Sequence, residues 1–157
     1  MSKEIQLTRG KVAIVDDDDF EYLNQWKWQA EPYSQTYRAF RTQKTGFLKK
    51  RKIYMHRVIM NCPENMVIDH KNHIALDNKK DNLRLATREQ NSRNIMSTKS
   101  KTGFKGVRKQ GSKYQARIGI NKNQIYLGTF DTPEDAAKAY DIKAVEMFGE
   151  FAFLNFQ

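Results

Sequence analysis

Apolar and polar positions divide the first third of the chain into short elements. A β-branched run at 11–15 predicts a strand, and the acids at 16–19 predict a helix start, because carboxylates suit the positive end of a helix. Helical spacing of the next apolar residues extends this helix to about residue 27. Two further runs, 37–41 and 52–55, predict strands on either side of a basic turn. We interpret the acids as a solvated helix cap, with a metal site as the less favoured alternative.

The middle of the chain is dense in Asp, Asn and His. Its pattern predicts a short helix at 56–61, followed by two short apolar strands at 66–68 and 83–86 with a polar loop between them. Residues 87–90, Thr-Arg-Glu-Gln, match a capping box. A helix is therefore predicted at 88–94.

The last third of the chain predicts a three-stranded sheet and one helix. Strand-like runs at 105–108, 113–120 and 124–130 are separated by turn-forming residues. Thr132, followed by proline and two acids, predicts the helix start, and Gly149 predicts its end. The residues predicted to form the buried face of this helix are Ala137, Tyr140, Ala144, Val145 and Phe148.

These elements predict the fold class α+β, with two domains. The N-terminal unit, 1–94, combines a small α/β extension with a ββα core at about 65–94. Residues 95–103 are rich in Ser, Thr and Lys without an apolar period, which predicts a basic linker. Residues 104–157 form the second domain, an antiparallel three-stranded sheet backed by one helix.

Charge narrows the partner class. The chain has 157 residues and a formal net charge of +10. Residues 32–63 and 90–130 contain no Asp or Glu, and they carry eight and nine Lys or Arg, respectively. Two basic tracts without acids indicate two surfaces that face phosphates, and nucleic acid is the commonest such partner of a basic protein.

Cysteine usage and hydropathy indicate the cellular compartment in which the protein acts. Cys62 is the single cysteine, so neither an internal disulfide nor a Cys-x-x-Cys zinc ribbon is expected. No run approaches the length of a membrane span, and no signal peptide is evident. We expect a cytoplasmic protein, monomeric in solution, with neither a membrane nor an obligate protein partner.

The residues that carry candidate chemistry are Asp69, His70, Asn82 and Asn91. Phosphodiester hydrolysis needs a base that activates water and a cation that stabilises charge on the phosphate and the leaving oxygen. Histidine is a suitable base near neutral pH, and Asp and Asn offer oxygen ligands to Mg²⁺. The alternative interpretation is that these side chains only stabilise turns.

Several of these residues occur in an order typical of one family. Residues 67–70 (Val-Ile-Asp-His), 76–78 (Leu-Asp-Asn), 82–84 (Asn-Leu-Arg) and Asn91, together with the upstream segment 54–60, resemble the ββα-metal core of phage and intron-encoded HNH homing endonucleases. The resemblance covers roughly residues 5–94. It implies a metal-dependent DNA endonuclease or nickase that uses Mg²⁺, with Mn²⁺ as the alternative.

The resemblance also implies a role for each site residue. His70 corresponds to the general base, and Asp69 and Asn91 correspond to the metal ligands. Asn82 corresponds to the residue that braces the loop and orients the base. The family often has glycine where this chain has His73, which leaves the loop conformation open. His56 is interpreted as a packing residue rather than a second catalytic group, and Asn78 is ranked below Asn82.

The C-terminal residues carry a second resemblance. Gly106-Val-Arg108, Tyr126-Leu-Gly-Thr-Phe130 and 154–156 (Leu-Asn-Phe) resemble the ethylene-response-factor, or APETALA-type, DNA-binding domain, over residues 103–157. The resemblance implies a sheet that lies in the major groove of double-stranded DNA, with a helix behind it. The predicted DNA contacts are Lys105, Arg108, Lys113, Arg117, Lys122 and Tyr126.

Departures from this second family limit what it implies. Arg117 and Gly119 stand where the family often has an acid and an arginine, respectively, and the 110–112 turn lacks the usual tryptophan. The plant target sequence is therefore not expected here.

Three functions remain open at this point. The favoured one is a metal-dependent endonuclease of homing type that is positioned by the C-terminal sheet, with one ββα core cutting one strand at a time. A DNA-binding regulator with a silent nuclease core is the first alternative, and an RNA binder that uses basic sheets is the second.

Overall fold

A computed structural model describes residues 1–33, 36–47, 49–95, 100–120 and 123–156. The chain divides into two compact units, Met1–Asn91 and Ser92–Gln157. The predicted linker, 95–103, lies partly outside the described residues. Within its described part, the Ser100 hydroxyl donates to the Phe104 carbonyl of the C-terminal unit. In the described part of the chain, no helix has the length and apolar character that a membrane span requires.

The fold class is α+β, as the sequence predicts. In the N-terminal unit the elements are β1 (Ser2–Gln6), β2 (Val12–Asp16), α1 (Asp17–Leu23), β3 (Gln29–Tyr33), β4 (Thr36–Lys44), β5 (Lys50–Tyr54), α2 (Met55–Ile59), β6 (Val67–His70), β7 (Leu83–Ala86) and α3 (Arg88–Arg93), which reaches past the unit boundary. The pairs β1–β2 and β6–β7 and the three-stranded sheet β3–β4–β5 are antiparallel.

The predicted helix beyond the acids is too long. Helix α1 ends at Leu23, because the chain then turns so that Trp28 is buried and its indole N–H donates to the Leu23 carbonyl at 2.8 Å. Residues 29–33 continue as β3, a strand that the sequence pattern did not predict. Strand β1 was also not predicted, since Ile5 is its only buried residue and a single apolar position gives no visible alternation.

The β1–β2 hairpin and α1 hold the polar loop between β6 and β7. Ile14 donates its backbone N–H to the Leu76 carbonyl at 2.9 Å, and it accepts from the Asn78 N–H at 2.7 Å. Asp16 accepts from the backbone N–H of Lys80 at 2.7 Å, and the ammonium of Lys80 pairs with Asp19 at 2.8 Å. The acids at the start of α1 therefore serve as anchors for this loop as well as helix-start residues.

The predicted ββα arrangement is present. Strands β6 and β7 pair in a register that places Asp69 opposite Arg84 and His70 opposite Leu83. The capping box that starts α3 is confirmed: Gln90 donates its N–H to the Thr87 hydroxyl at 3.1 Å, and the Gln90 side chain accepts from the Thr87 N–H at 2.8 Å.

The C-terminal unit contains β8 (Val107–Gln110), β9 (Lys113–Ile120), β10 (Asn123–Phe130) and α4 (Pro133–Phe148). The sheet order is β10–β9–β8, and α4 packs on one face through Ala136, Ala137, Tyr140 and Ala144. Thr132 caps α4 by accepting from the Asp135 N–H, and Gly149 ends the helix, as predicted.

Two details of the C-terminal prediction are wrong. The first strand begins at Val107 rather than at residue 105, because Gly106 has a φ of 77° that interrupts extended backbone. Val145 is half exposed rather than buried, and Ala136 is buried instead, so the packed face of α4 is rotated from the predicted one.

Gly106 provides a test of this packing. A Cβ atom built there would lie 2.0 Å from the Tyr140 ring and 2.7 Å from the Arg117 carbonyl oxygen. Gly103 has nearly the same φ, 78°, but a Cβ there meets nothing within 4 Å. We expect Gly106→Ala to lower the free energy of unfolding by about 2 kcal/mol more than Gly103→Ala, because only Gly106 adds overpacking to the backbone strain. Urea denaturation followed by circular dichroism measures both, and equal losses would contradict the packing.

Candidate active site

Asp69 and His70 end strand β6, where neighbouring side chains point to opposite faces of the sheet. Asp69 is buried and accepts from Arg84 through one carboxylate oxygen, Oδ2, at 2.7 Å from Nε and 2.6 Å from Nη2. The cross-strand register creates this ion pair, which gives the buried carboxylate a cationic partner. Sequence reasoning missed this role of Arg84, although the residue belongs to the matched Asn-Leu-Arg segment.

His70 contacts Asn78. The Asn78 side chain is fully buried, with its Oδ1 3.4 Å from His70 Nε2 and its Nδ2 3.2 Å from the Leu76 carbonyl oxygen. A carbonyl oxygen only accepts, so the Asn78 atom facing it is the nitrogen, and the amide oxygen must face His70. Nε2 of a neutral His70 therefore carries the proton, and Nδ1 has the lone pair that a base requires.

The surroundings of His70 favour the neutral ring. Burial lowers the pKa of His70 from its ordinary value, while the hydrogen bond to Asn78 and the negative charges of Asp69 and Asp77 oppose that shift. The ring edge also lies against His56, with 5.4 Å between ring centroids, and His56 stacks in turn on Tyr54 at 5.7 Å. Burial thus favours the neutral form of His70, and the His56 ring packs against it.

Asn82 braces the loop. Its Nδ2 donates to the Asp77 carbonyl at 2.7 Å, and its Oδ1 accepts from the Asn72 backbone N–H at 3.0 Å. The orienting contact to His70 comes from Asn78, a residue that the sequence ranked lower. Sequence spacing did not indicate which asparagine contacts His70, because either Asn78 or Asn82 could have reached it.

The loop conformation at His73 explains the family's frequent glycine at this position. His73 has a φ of 63°, in the left-handed region that glycine adopts without a steric penalty. Its backbone N–H donates to the His70 carbonyl at 3.1 Å, which closes a turn directly after the base.

The predicted metal ligands are Asp69 and Asn91. Asn91 lies in the first turns of α3, where its N–H donates to the Thr87 carbonyl. The described residues contain no group of three or more His, Cys, Asp or Glu side chains arranged to hold a metal ion. One carboxylate and one amide nevertheless suit Mg²⁺, which in proteins is commonly held by one or two carboxylates together with waters and substrate phosphates. The donor chemistry therefore fits this cation.

In the C-terminal unit, three of the predicted DNA contacts share the sheet face opposite α4. Arg108 lies opposite Gln115 on the neighbouring strand, and Arg117 lies opposite Tyr126. Gln115, which the sequence did not single out, accepts from Arg117 Nη2 at 2.8 Å on this face. Lys113 is exposed at the start of β9 and pairs with Asp131 at 3.0 Å. This face offers guanidinium, amide and phenol groups, all of which can contact base edges or phosphates.

One predicted contact, Lys105, stands apart from that face. The Lys105 ammonium donates to the backbone carbonyls of Arg93 and Ile95, the latter at 2.7 Å, and burial lowers the pKa of Lys105 to about 8. The prediction that Lys105 sits on the first strand as a DNA contact is therefore wrong in its placement, since its amine binds the end of α3. Lys122 lies outside the described residues.

Comparison with known proteins gives a family match in the N-terminal part of the chain and a viral relative that is similar over almost the whole chain. The HNH endonuclease family matches residues 54–93, which include β6, β7 and α3. An uncharacterised HNH endonuclease of Acanthamoeba polyphaga mimivirus is 33% identical over 150 residues, which cover 94% of this chain and 76% of the viral protein.

Plant transcription factors resemble the C-terminal unit. The AP2-like ethylene-responsive transcription factor PLT2 of Arabidopsis thaliana is 45% identical over 58 residues, covering 34% of this chain and 10% of the plant protein. An ethylene-responsive transcription factor, ERF069, of the same plant is 33% identical over 99 residues, covering 59% of this chain and 61% of its own length. The chain thus spans only part of each plant relative.

The Asn78 contact predicts a kinetic effect. We expect Asn78→Ala to lower kcat on supercoiled plasmid by about 10-fold with little change in KM, because the base loses its orientation while substrate contacts remain. Asn78→Asp keeps an acceptor oxygen but places a carboxylate beside the ring. It should recover part of kcat and move the acid limb of the pH–rate profile to higher pH, since the negative charge favours imidazolium. An unchanged acid limb would indicate a purely structural role for Asn78.

Burial of His56 predicts a pH-dependent stability. Desolvation lowers the pKa of His56 to about 3, with smaller contributions from His70 when it is protonated and from the positive charges of Arg38 and Arg57. Its unfolded value is about 6.5, so between these values the unfolded chain binds the extra proton and stability falls as pH falls. The loss approaches roughly 1.4 kcal/mol per pH unit for this single group.

Urea denaturation at several pH values between 4 and 7 measures that slope. His56→Phe keeps a stacking ring without a titrating nitrogen, so its slope should be smaller by about one proton. An equal slope in the variant and the native chain would show that other groups cause the acid sensitivity.

Proposed function

The chain belongs to the HNH endonuclease family, and we propose that it is a metal-dependent endonuclease of homing type that cuts one strand of double-stranded DNA per ββα core. The observation that carries the proposal is the end of β6, where a buried carboxylate and an oriented neutral imidazole are adjacent. That pair offers a cation ligand and a general base to the same phosphate.

The reaction is hydrolysis of a phosphodiester bond. His70 Nδ1 accepts a proton from a water molecule, and the water oxygen forms a bond to phosphorus. The bond from phosphorus to the 3′ oxygen breaks, and that oxygen takes a proton from solvent. Asn78 holds Nε2–H throughout, so the ring does not rotate as Nδ1 gains its proton.

Asp69 and Asn91 would hold the divalent cation, Mg²⁺ or alternatively Mn²⁺. When bound, this cation stabilises negative charge on the phosphate and on the leaving oxygen. Arg84 contributes by fixing the Asp69 carboxylate through Oδ2, so the ligand does not have to be ordered when the cation arrives. Asn82 keeps the loop closed around the base.

The C-terminal sheet would position the nuclease unit on DNA. Its face with Arg108, Gln115, Arg117 and Tyr126 has the polar groups that read a major groove, and the similarity to AP2-like transcription factors supports this assignment. A regulator without activity is disfavoured, because the family of the N-terminal unit is enzymatic. We place the enzyme, as a monomer, in the cytoplasm of the cell that hosts the mobile element.

A plasmid assay tests the proposal. The native chain should nick supercoiled plasmid with Mg²⁺ and should stop when EDTA removes the cation. His70→Ala should lower the rate at least about 100-fold, because the base is lost. His73→Ala is the matched control in the same loop and should retain most of the activity.

Two results would count against the proposal. Nicking by His70→Ala at the native rate would exclude His70 as the base. Nicking that continues in EDTA would exclude metal dependence.

A further inference from the structure

The turn between β4 and β5 forms a basic tip, defined here as the described residues of 44–51. Thr45 closes the turn by donating its N–H to the Lys49 carbonyl at 2.9 Å. Every described residue of the tip is solvent-exposed. Its cations are Lys44, Lys49, Lys50 and Arg51.

The charges of the tip are not balanced within the N-terminal unit. Lys44 lies directly opposite Lys50 in the strand register, and like charges in that position destabilise a strand pair. The carboxylate of Glu31 is already engaged by Lys52, Arg38 and Tyr54. Among the described residues, no carboxylate pairs with any cation of the tip. An external polyanion would relieve this repulsion.

Phe47 adds an apolar ring to the tip. Its side chain is fully exposed, and it carries no polar atom that water could bind. The other exposed aromatic residues of this unit have partners: Tyr22 packs on Trp26, and Tyr33 lies under the Arg38 guanidinium. Within the described part of the chain, no ring or cation contact involves Phe47. An apolar ring between cations suits a partner that has both stacked aromatic rings and negative charge.

We propose that the basic tip enters a groove of double-stranded DNA, where Phe47 stacks against bases and the four cations contact the flanking phosphates. A two-stranded ribbon fits a DNA groove, and apolar side chains that insert at base steps are a known means of binding and bending DNA. The inference rests on the proposed function, in that duplex DNA is the substrate. It assigns the nuclease unit a DNA contact of its own, separate from the C-terminal sheet.

The binding experiment uses the full chain and a fluorescent 30-base-pair DNA duplex of mixed sequence, in anisotropy titrations over a series of KCl concentrations with EDTA present. Phe47→Ala should raise Kd by about 10-fold with an unchanged salt slope, because stacking is lost and phosphate contacts remain. Phe47→Trp should restore the Kd, and its fluorescence should be quenched by DNA.

Charge variants test the phosphate contacts. Lys44→Gln/Lys50→Gln should lower the slope of log K against log salt by about 1.8, since each phosphate contact on B-DNA contributes about 0.9. Arg9→Gln/Lys27→Gln removes the same charge at exposed positions outside the tip, and its slope should stay near the native one. Thermal unfolding followed by circular dichroism checks that all variants fold.

Several results would overturn the inference. These are an unchanged Kd for Phe47→Ala, an unquenched Phe47→Trp, or equal slopes for the two double variants. Equal effects of Phe47→Ala on an RNA duplex of the same sequence would show a general polyanion contact. Sedimentation of the native chain as a dimer that Phe47→Ala dissociates would assign the tip to a second copy.

The experiment separates this inference from the nuclease proposal. His70→Ala should bind the duplex like the native chain, although it does not cut. A native chain that fails to nick plasmid but shows the Phe47 effects would contradict the nuclease proposal and leave the tip assignment standing.

Discussion

The active site depends on the attachment of a polar loop to the edge of β2. The loop between β6 and β7 has few apolar side chains, so burial alone cannot hold it. Two backbone hydrogen bonds of Ile14, to Leu76 and Asn78, and the carboxylate contacts of Lys80 fix it instead. Because Asn78 is fixed in this way, its side chain reaches His70 with a defined amide orientation. The N-terminal hairpin therefore helps to position the proposed base, although it contributes no candidate catalytic group.

Asp69 and His70 at the end of β6 have different electrostatic surroundings. Burial disfavours a charged His70 and leaves it able to accept a proton, whereas the buried Asp69 is paired with Arg84. Asp69 needs a cationic partner and His70 needs surroundings that favour its neutral form. The two faces of the strand provide these surroundings separately. His56 packs against His70 and stacks on Tyr54, whose hydroxyl donates to the Glu31 carboxylate on the N-terminal sheet. These contacts connect His70 to that sheet.

The proposed DNA contacts lie on surfaces of different character. The C-terminal sheet combines arginine, amide and phenol groups, which suit base edges, and its helix closes the other face with small alanines. The basic tip of the nuclease unit has charge and one apolar ring, which suit phosphates and stacked bases. Lys105 differs from both surfaces, since its ammonium binds backbone carbonyls at the end of α3.

The sequence by itself determined the elements that local chemistry specifies, and it supplied the candidates for the reacting groups. Some features depend only on contacts within a few residues, so they can be predicted from the sequence alone. These are the capping box at Thr87, the α4 cap at Thr132 and the end of α4 at Gly149. The order of Asp69, His70, Asn82 and Asn91 likewise identified a nuclease core. Only the tertiary structure decided that Asn78 rather than Asn82 orients the base, that Arg84 pairs with Asp69, and that α1 ends where Trp28 is buried. The first two depend on contacts made by a loop or across strands, and the third depends on burial of Trp28 in the core. Residue spacing along the chain does not encode which side chain makes such a contact.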